Sequence, residues 1–398
     1  MSAEVESASG IGAGKRIGEV DTLRGFALFG ILITNALVLT MLMSFVGAGG
    51  EVRPTFDGGI DRFVYAVMYG LFLGRFYLLF AFLFGYSFTL QIAAAERAGA
   101  APVRRLLRRA GALFVIGIAH AMLLWIGDIL TLYAVLCVIL VLLRKLRPRT
   151  AVISALVLYA LFCGLAFLPG GTGGIEGFGE FFDLRRMHEG YTGGFGDTFE
   201  TQLGLAPGFL LFIFVGQGLP SLGMFLLGMA AGKRRVFEDP DLLRRWTPRA
   251  MAVGFGVGLP VSIATIVLWT FGADVPSYWS GIQELANPFM TLGYVATIGW
   301  LTRSRWAGAV AWLAPAGRMA ASNYIAQSVI FMVVYTGYGL ALADRVPPAA
   351  VVALGVVTFA VQLRVSAWWL DRFAYGPVEW VLRAVTYRSV PPWRKASA

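Results

Sequence analysis

His120 and Asp128 flank a short apolar stretch that ends in Trp125-Ile126-Gly127. A carboxylate that holds an imidazole in one tautomer and stabilises its charged form is half of a general-base arrangement. Such a pair can take a proton from an attacking hydroxyl or amine. A structural alternative stays open, in which Asp128 caps the helix that follows and His120 makes a single hydrogen bond. His188, in a Gly- and aromatic-rich segment, reads as a solvated loop residue.

Two further groups of polar residues stand in apolar surroundings. Arg24 follows Val20-Asp21-Thr22-Leu23, and Asn35 lies about 16 Å deeper at a helical rise of ~1.5 Å per residue. An intramembrane amide beside a charge either lines a pathway or glues helices together. The run Gly317-Arg318-Met319-Ala320-Ala321-Ser322-Asn323-Tyr324-Ile325-Ala326-Gln327-Ser328 puts two amides four residues apart, so Asn323 and Gln327 share a helix face, with Tyr324 beside them. Arg24 and Arg318 together suit a phosphate or carboxylate, whose geometry matches the guanidinium fork. Arg75 stands near the middle of another apolar stretch and is a second basic candidate.

What must position these residues is a bundle of membrane helices. The 398-residue chain is 58% hydrophobic and only 14% charged, with a mean hydropathy of +0.70. Those values fit lipid as solvent and exclude a soluble domain of this size. Apolar stretches of spanning length run over 26–45, 76–94, 110–126, 129–143, 151–168, 209–231, 251–271, 289–301, 320–341 and 349–370. The fold class is therefore all-α, a polytopic membrane bundle of about ten transmembrane helices.

The formal charge of +10 does not point to nucleic acid, because the basic residues recur between alternate spans. Arg97 to Arg109, Arg144 to Arg149 and Lys233 to Arg249 are the densest groups. This is the positive-inside pattern, and it predicts both termini in the cytoplasm of a bacterial inner membrane. Residues 1–15 read as a disordered cytoplasmic tail and 16–387 as one membrane domain with an outer loop at 169–207. Residues 388–398 read as a second tail. Phe63 to Leu73 reads as an interfacial or re-entrant helix. Pro377 and the Glu379–Arg383 spacing predict a C-terminal interfacial helix over 376–387, with those two residues paired.

Several chemistries lack their signatures. The sequence has no phosphate-binding Gly-x-x-x-x-Gly-Lys-Ser/Thr loop and no Gly-x-Ser-x-Gly elbow. Two histidines and two cysteines offer no metal cluster, so no metal and no tightly bound cofactor is expected. Cys137 and Cys163 fall within predicted spans, where a thiol packs as a small apolar group. Gly228 and Gly232, like Gly254 and Gly258, have the spacing of close helix contacts.

Four blocks, Glu19 to Asn35, Gly117 to Leu130, Gly317 to Ser328 and Gly376 to Arg383, together resemble the YeiB-like family of bacterial multi-span membrane proteins, a domain of unknown function. The likeness runs from about Arg16 to Tyr387. That family is distantly similar to transmembrane acyltransferases such as heparan-alpha-glucosaminide N-acetyltransferase, and this implies acyl transfer. Other transmembrane acyltransferases have a histidine where this chain has Asn35, and the N-acetyltransferase's catalytic histidine lies in the first outer loop, whereas Gly47 to Asp61 contains none. The base would then be His120, oriented by Asp128, with Arg75 or Asn35 at the oxyanion. Arg24, Arg318, Asn323, Tyr324 and Gln327 would bind substrate, with acyl-CoA as co-substrate. The acceptor would be a small molecule, glycan or lipid bearing a hydroxyl or amine. The bilayer is the expected partner, and a homo-oligomer stays open. The rival readings are a transporter or exporter of a small amphipathic metabolite, with His120 relaying protons, and a non-catalytic scaffold.

Overall fold

The computed structural model describes residues 17–44, 58–168, 182–272, 275–343 and 345–395. The disordered tail expected over 1–15 lies outside them, as do residues 46–57 between the first two predicted spans. The described regular structure is helical apart from an isolated antiparallel bridge between Phe373 and Arg394.

The helices are α1 (Gly18–Ser44), α2 (Gly59–Leu71), α3 (Phe76–Arg97), α4 (Pro102–Leu123), α5 (Leu130–Leu143), α6 (Pro148–Ala166), α7 (Leu184–Thr192) and α8 (Phe195–Lys233). They continue as α9 (Pro240–Thr270), α10 (Trp279–Leu301), α11 (Ala307–Ala311), α12 (Leu313–Arg318), α13 (Ala320–Tyr335), α14 (Pro348–Arg372) and α15 (Pro377–Tyr387). Among the described residues seven stretches are long and apolar enough to cross a membrane: α1, α2 with α3, α4, α6, α8, α9 and α14. The helices α5 and α13 are shorter and apolar. With α10, these elements overlap each of the ten predicted segments.

Local chemistry sets the helix ends. Proline occupies the first turn of α4, α6, α14 and α15, where its missing N–H costs nothing. The Asp239 carboxylate accepts from the Leu242 N–H at 3.0 Å and so starts α9. Glycine then lets helices touch backbone to backbone. A Cβ on Gly85 would overlap the Phe225 carbonyl, and one on Gly228 would overlap that of Phe82, so α3 and α8 run side by side. On α9, Gly254 and Gly258 meet α10 at Gly293 and Met290 in the same way.

Three segments read from the sequence take a definite form. The helix α2, expected as interfacial or re-entrant over Phe63 to Leu73, spans Gly59–Leu71 and packs its buried face on α9, with Tyr69 stacked on Trp269 at 4.5 Å. It is separated from α3 by a turn at Gly74, whose φ of +82° suits glycine. The predicted loop over 169–207 is helical from Leu184 onward, because Asp183 caps α7 through the Arg186 N–H and α8 begins at Phe195. The predicted tail also folds back as far as Lys395: Ala374 and Lys395 donate backbone hydrogen bonds to Trp393 and Arg372.

Candidate functional site

Asp128 sits in the tight connection between α4 and α5, and its two oxygens do different work. Oδ2 accepts from the Thr131 N–H at 2.7 Å and from Thr131 Oγ1 at 2.6 Å, which caps α5. Oδ1 faces His120 Nδ1 at 2.9 Å. The capping and orienting readings of the sequence therefore hold together. Both side chains are buried. Gly117 makes the arrangement possible, because a Cβ there would come within 2.6 Å of the Thr131 nitrogen and 3.0 Å of Oδ2.

A carboxylate oxygen only accepts, so in the neutral imidazole Nδ1 carries the proton and Nε2 is left as an acceptor. Nε2 lies 2.8 Å from Ser328 Oγ, on α13. The three side chains form a connected line, Asp128 to His120 to Ser328. One turn back along α13 is Tyr324, whose ring centre is 5.0 Å from that of His120 and whose hydroxyl donates to the Gly127 carbonyl at 3.3 Å.

A cavity of about 150 Å³ reaches Tyr324 from the end of the bundle that carries Arg97, Lys145 and Lys233. Arg24, Arg109, Arg318, Ser87 and Gln91 line it. Arg24, Ser87, Gln91 and Arg318 also line a wider space of about 1070 Å³ at that basic end. This vestibule is lined by eight cationic side chains (Arg24, Arg97, Arg144, Lys145, Lys233, Arg235, Arg318, Arg383) and three carboxylates (Asp21, Glu96, Glu238). Excess positive charge in a concave space concentrates anions. Arg24 is itself held by Asp21 at 3.0 Å and by Ser87 Oγ.

Arg24 and Arg318 come together because α12 crosses α1 at two glycines. A Cβ on Gly317 would overlap the Asp21 carbonyl and lie 2.7 Å from the Gly25 nitrogen. Asn35, deeper on α1, lines a small void of about 10 Å³ with Trp125, Gln327 and Ser328.

The other predicted residues are placed elsewhere. Asn323 does not line the cavity: its amide donates to Ser366 Oγ on α14 at 2.9 Å and to the Ala316 carbonyl at 3.2 Å. Gln327 donates to Gln362 Oε1 at 2.8 Å, while Gln362 donates back to the Asn323 carbonyl at 3.0 Å. The shared face of the two amides thus joins α13 to α14, and Gln327 touches the void besides. Arg75 is fully buried at the start of α3 and donates to the Tyr69 and Leu73 carbonyls and to Ser262 Oγ at 3.3 Å. It belongs to a cluster with α9 and α10, where Thr291 Oγ1 donates to its carbonyl at 3.1 Å. The structure does not bring it to His120. The His188 carbonyl accepts from Thr192 Oγ1 at 2.8 Å.

Sequence reasoning missed Ser328, Arg109, Ser87 and the partner of Glu379. A signal for Ser328 exists, since it follows Tyr324 by four residues and so shares Tyr324's face. Glu379 does not pair with Arg383. It accepts from the Ala321 and Ser322 backbone N–H groups at 2.8 and 3.2 Å and from Ser322 Oγ at 2.5 Å, capping α13 from α15. Arg383 lies instead over the rings of Tyr375 and Tyr387. Burial raises the Glu379 carboxyl above its ordinary 4.5, and the three hydrogen bonds offset part of that rise. Among the described residues no group of three His, Cys, Asp or Glu side chains could hold a metal ion.

The chain is 32% identical to the uncharacterized protein YxaH of Bacillus subtilis (strain 168), over 96% of each chain. The chain belongs to the YeiB-like, DUF418 family. The model of that family, described as a protein of unknown function, matches residues 231–389. Escherichia coli (strain K12) YeiB, also uncharacterized, is 26% identical over 94% of this chain and 97% of its own. An uncharacterized 39.9 kDa protein of Bacillus acidopullulyticus is 29% identical over 94% of each. In this YeiB-like protein the matched family segment carries Arg318, Tyr324, Ser328 and Glu379, whereas His120 and Asp128 lie in the half that the full-length relatives cover.

Proposed function

We propose that the protein is a membrane acyltransferase that moves an acyl group from a cytoplasmic acyl-CoA to a hydroxyl or amine of an envelope or exported molecule. The observation that carries this reading is the cavity that leads from a vestibule of eight cations to Tyr324, whose ring touches that of His120. The basic end is the cytoplasmic one under the positive-inside rule. There the arginines take the phosphates of the donor, with planar forks suited to paired oxygens. The acyl arm extends up the narrower cavity towards Tyr324. His120 supplies the base at the far end, and Asp128 fixes its tautomer and balances the charge it gains.

The carrier reading draws on the same vestibule and uses His120 as a proton relay, with no covalent step. The two part on covalent product. Purified protein is placed in vesicles of bacterial polar lipid and given radiolabelled acetyl-CoA. Release of CoA thiol that depends on protein, and that falls by about 10²–10⁴ in His120→Ala, supports transfer. Uptake of label into the vesicles with its thioester intact overturns it in favour of transport.

A further inference from the structure

We propose that Ser328 is the nucleophile of this site, and that the acyl group rests on its Oγ between donor and acceptor. The inference builds on the acyl-transfer reading and goes beyond it by making the transfer a double displacement.

Three observations converge. First, Ser328 Oγ lies 2.8 Å from His120 Nε2, while Nδ1 of the same ring is 2.9 Å from Asp128. Because the carboxylate fixes the proton on Nδ1, the hydroxyl donates to Nε2, the direction in which a base activates it. The bond back to the Tyr324 carbonyl of its own helix is the longer of the two, at 3.4 Å against 2.8 Å to the imidazole. Second, Asp128 is itself immobilised by two bonds from Thr131, so the line is rigid from its far end. Third, a void of about 10 Å³ adjoins Ser328. It has room for about one water, hence for one carbonyl oxygen. Asn35, Trp125 and Gln327 line it. An amide N–H is a donor suited to a developing oxyanion.

The chemistry balances without any further reagent. Ser328 Oγ bonds to the thioester carbonyl carbon as its proton passes to His120 Nε2. The C–S bond then breaks, and the departing sulfur takes that proton and leaves as free thiol. An acceptor hydroxyl or amine next attacks the ester carbonyl and gives its proton to Nε2. The bond from carbon to Oγ breaks, and Oγ recovers the proton. No atom is oxidised or reduced. Tyr324, one turn away on the same helix face, lines the arginine-lined cavity at the end nearest His120.

Two readouts separate this inference from the reading beneath it. Methanesulfonyl fluoride, small enough for a narrow site, is incubated with the folded protein and the adduct is located by peptide mass spectrometry. Separately, radiolabelled acetyl-CoA is added and the protein is acid-quenched before CoA release is counted. The expected result is a sulfonyl adduct on Ser328 and acetyl label retained on the protein. Ser328→Ala loses both, His120→Ala slows both by about 10²–10⁴, and Ser328→Cys keeps a trappable acetyl group as a thioester. Thermal melts of each variant exclude unfolding as the cause of a loss. CoA release by wild type that persists in folded Ser328→Ala, with no acetyl on wild type, overturns the nucleophile and leaves direct transfer standing. A Ser328 adduct without any CoA release supports the nucleophile and overturns acyl-CoA as donor. Neither adduct nor release overturns both.

Discussion

Gly317 lies directly against Gly25, close enough that a Cβ on Gly317 would sit 2.7 Å from the Gly25 nitrogen and overlap the Asp21 carbonyl. This contact brings the neighbouring Arg24 and Arg318, from opposite ends of the chain, to one cavity. Gly317→Ala is expected to cost about 1–3 kcal/mol of stability, the range for overpacking a tight contact. It should also separate the two guanidinium groups. Unfolding in detergent checks the first effect, and a raised KM for acetyl-CoA checks the second.

Arg24→Ala and Arg318→Ala address binding without the steric disturbance. A hydrogen bond to a charged partner contributes about 1.5–3 kcal/mol, so each variant should raise KM for acetyl-CoA by roughly ten- to a hundred-fold. Their kcat should change less. The wild-type KM should rise with added salt, and the dependence should weaken in the variants. A KM indifferent to both substitutions would remove the arginines from donor binding.

Asp128→Asn tests the tautomer. The asparagine oxygen can still cap α5 through Thr131, but its NH₂ then faces His120 Nδ1 as a donor. The imidazole must answer by placing its proton on Nε2, where Ser328 needs an acceptor. A fall in kcat of about 10²–10⁴ is expected, with a melting temperature near wild type. Kinetics and a melt of the same preparation decide it.

Gly117→Ala should act on the same pair from behind. Its Cβ would enter within 2.6 Å of the Thr131 nitrogen, forcing α4 away from the α5 cap. Loss of activity together with about 1–3 kcal/mol of stability is expected, measured by CoA release and denaturation. In Asp128→Asn the activity falls without that loss of stability.

Glu379 gives a prediction in pH. Burial lifts its folded-state carboxyl above 4.5, so the folded state holds the proton more firmly than the unfolded chain does. The corresponding stability is complete below about 4.5 and is lost as pH rises through the elevated folded value. Melting temperatures of wild type and Glu379→Gln, taken across this range, should converge or cross in that direction. A difference that is flat with pH would contradict the burial of a titrating carboxyl at the α13 cap.

The sequence alone determined the class of molecule and the positions of its spans. Apolar runs of membrane length and basic residues between alternate runs need no tertiary knowledge, because lipid and water sort residues by local composition. Asp128 was legible as both cap and orienter because His120 is eight residues away and the intervening turn is too short to place them far apart. Only the tertiary structure decided which polar faces meet. Asn323 and Gln327 read as binding residues because two amides in an apolar helix demand partners, yet α14 supplies those partners through Ser366 and Gln362. Arg75 and His120 both stand out as buried polar residues, and no rule of spacing says that they belong to different clusters. Ser328 gave only a weak signal, its place one turn beyond Tyr324, since a serine in a helix can always bond to its own backbone. It gains chemical meaning when α13 is laid against α4, a contact between residues 208 positions apart. Helix packing sets such long-range pairings through the shapes of whole faces, here through glycines that permit close approach, and that information is spread over segments distant in the chain.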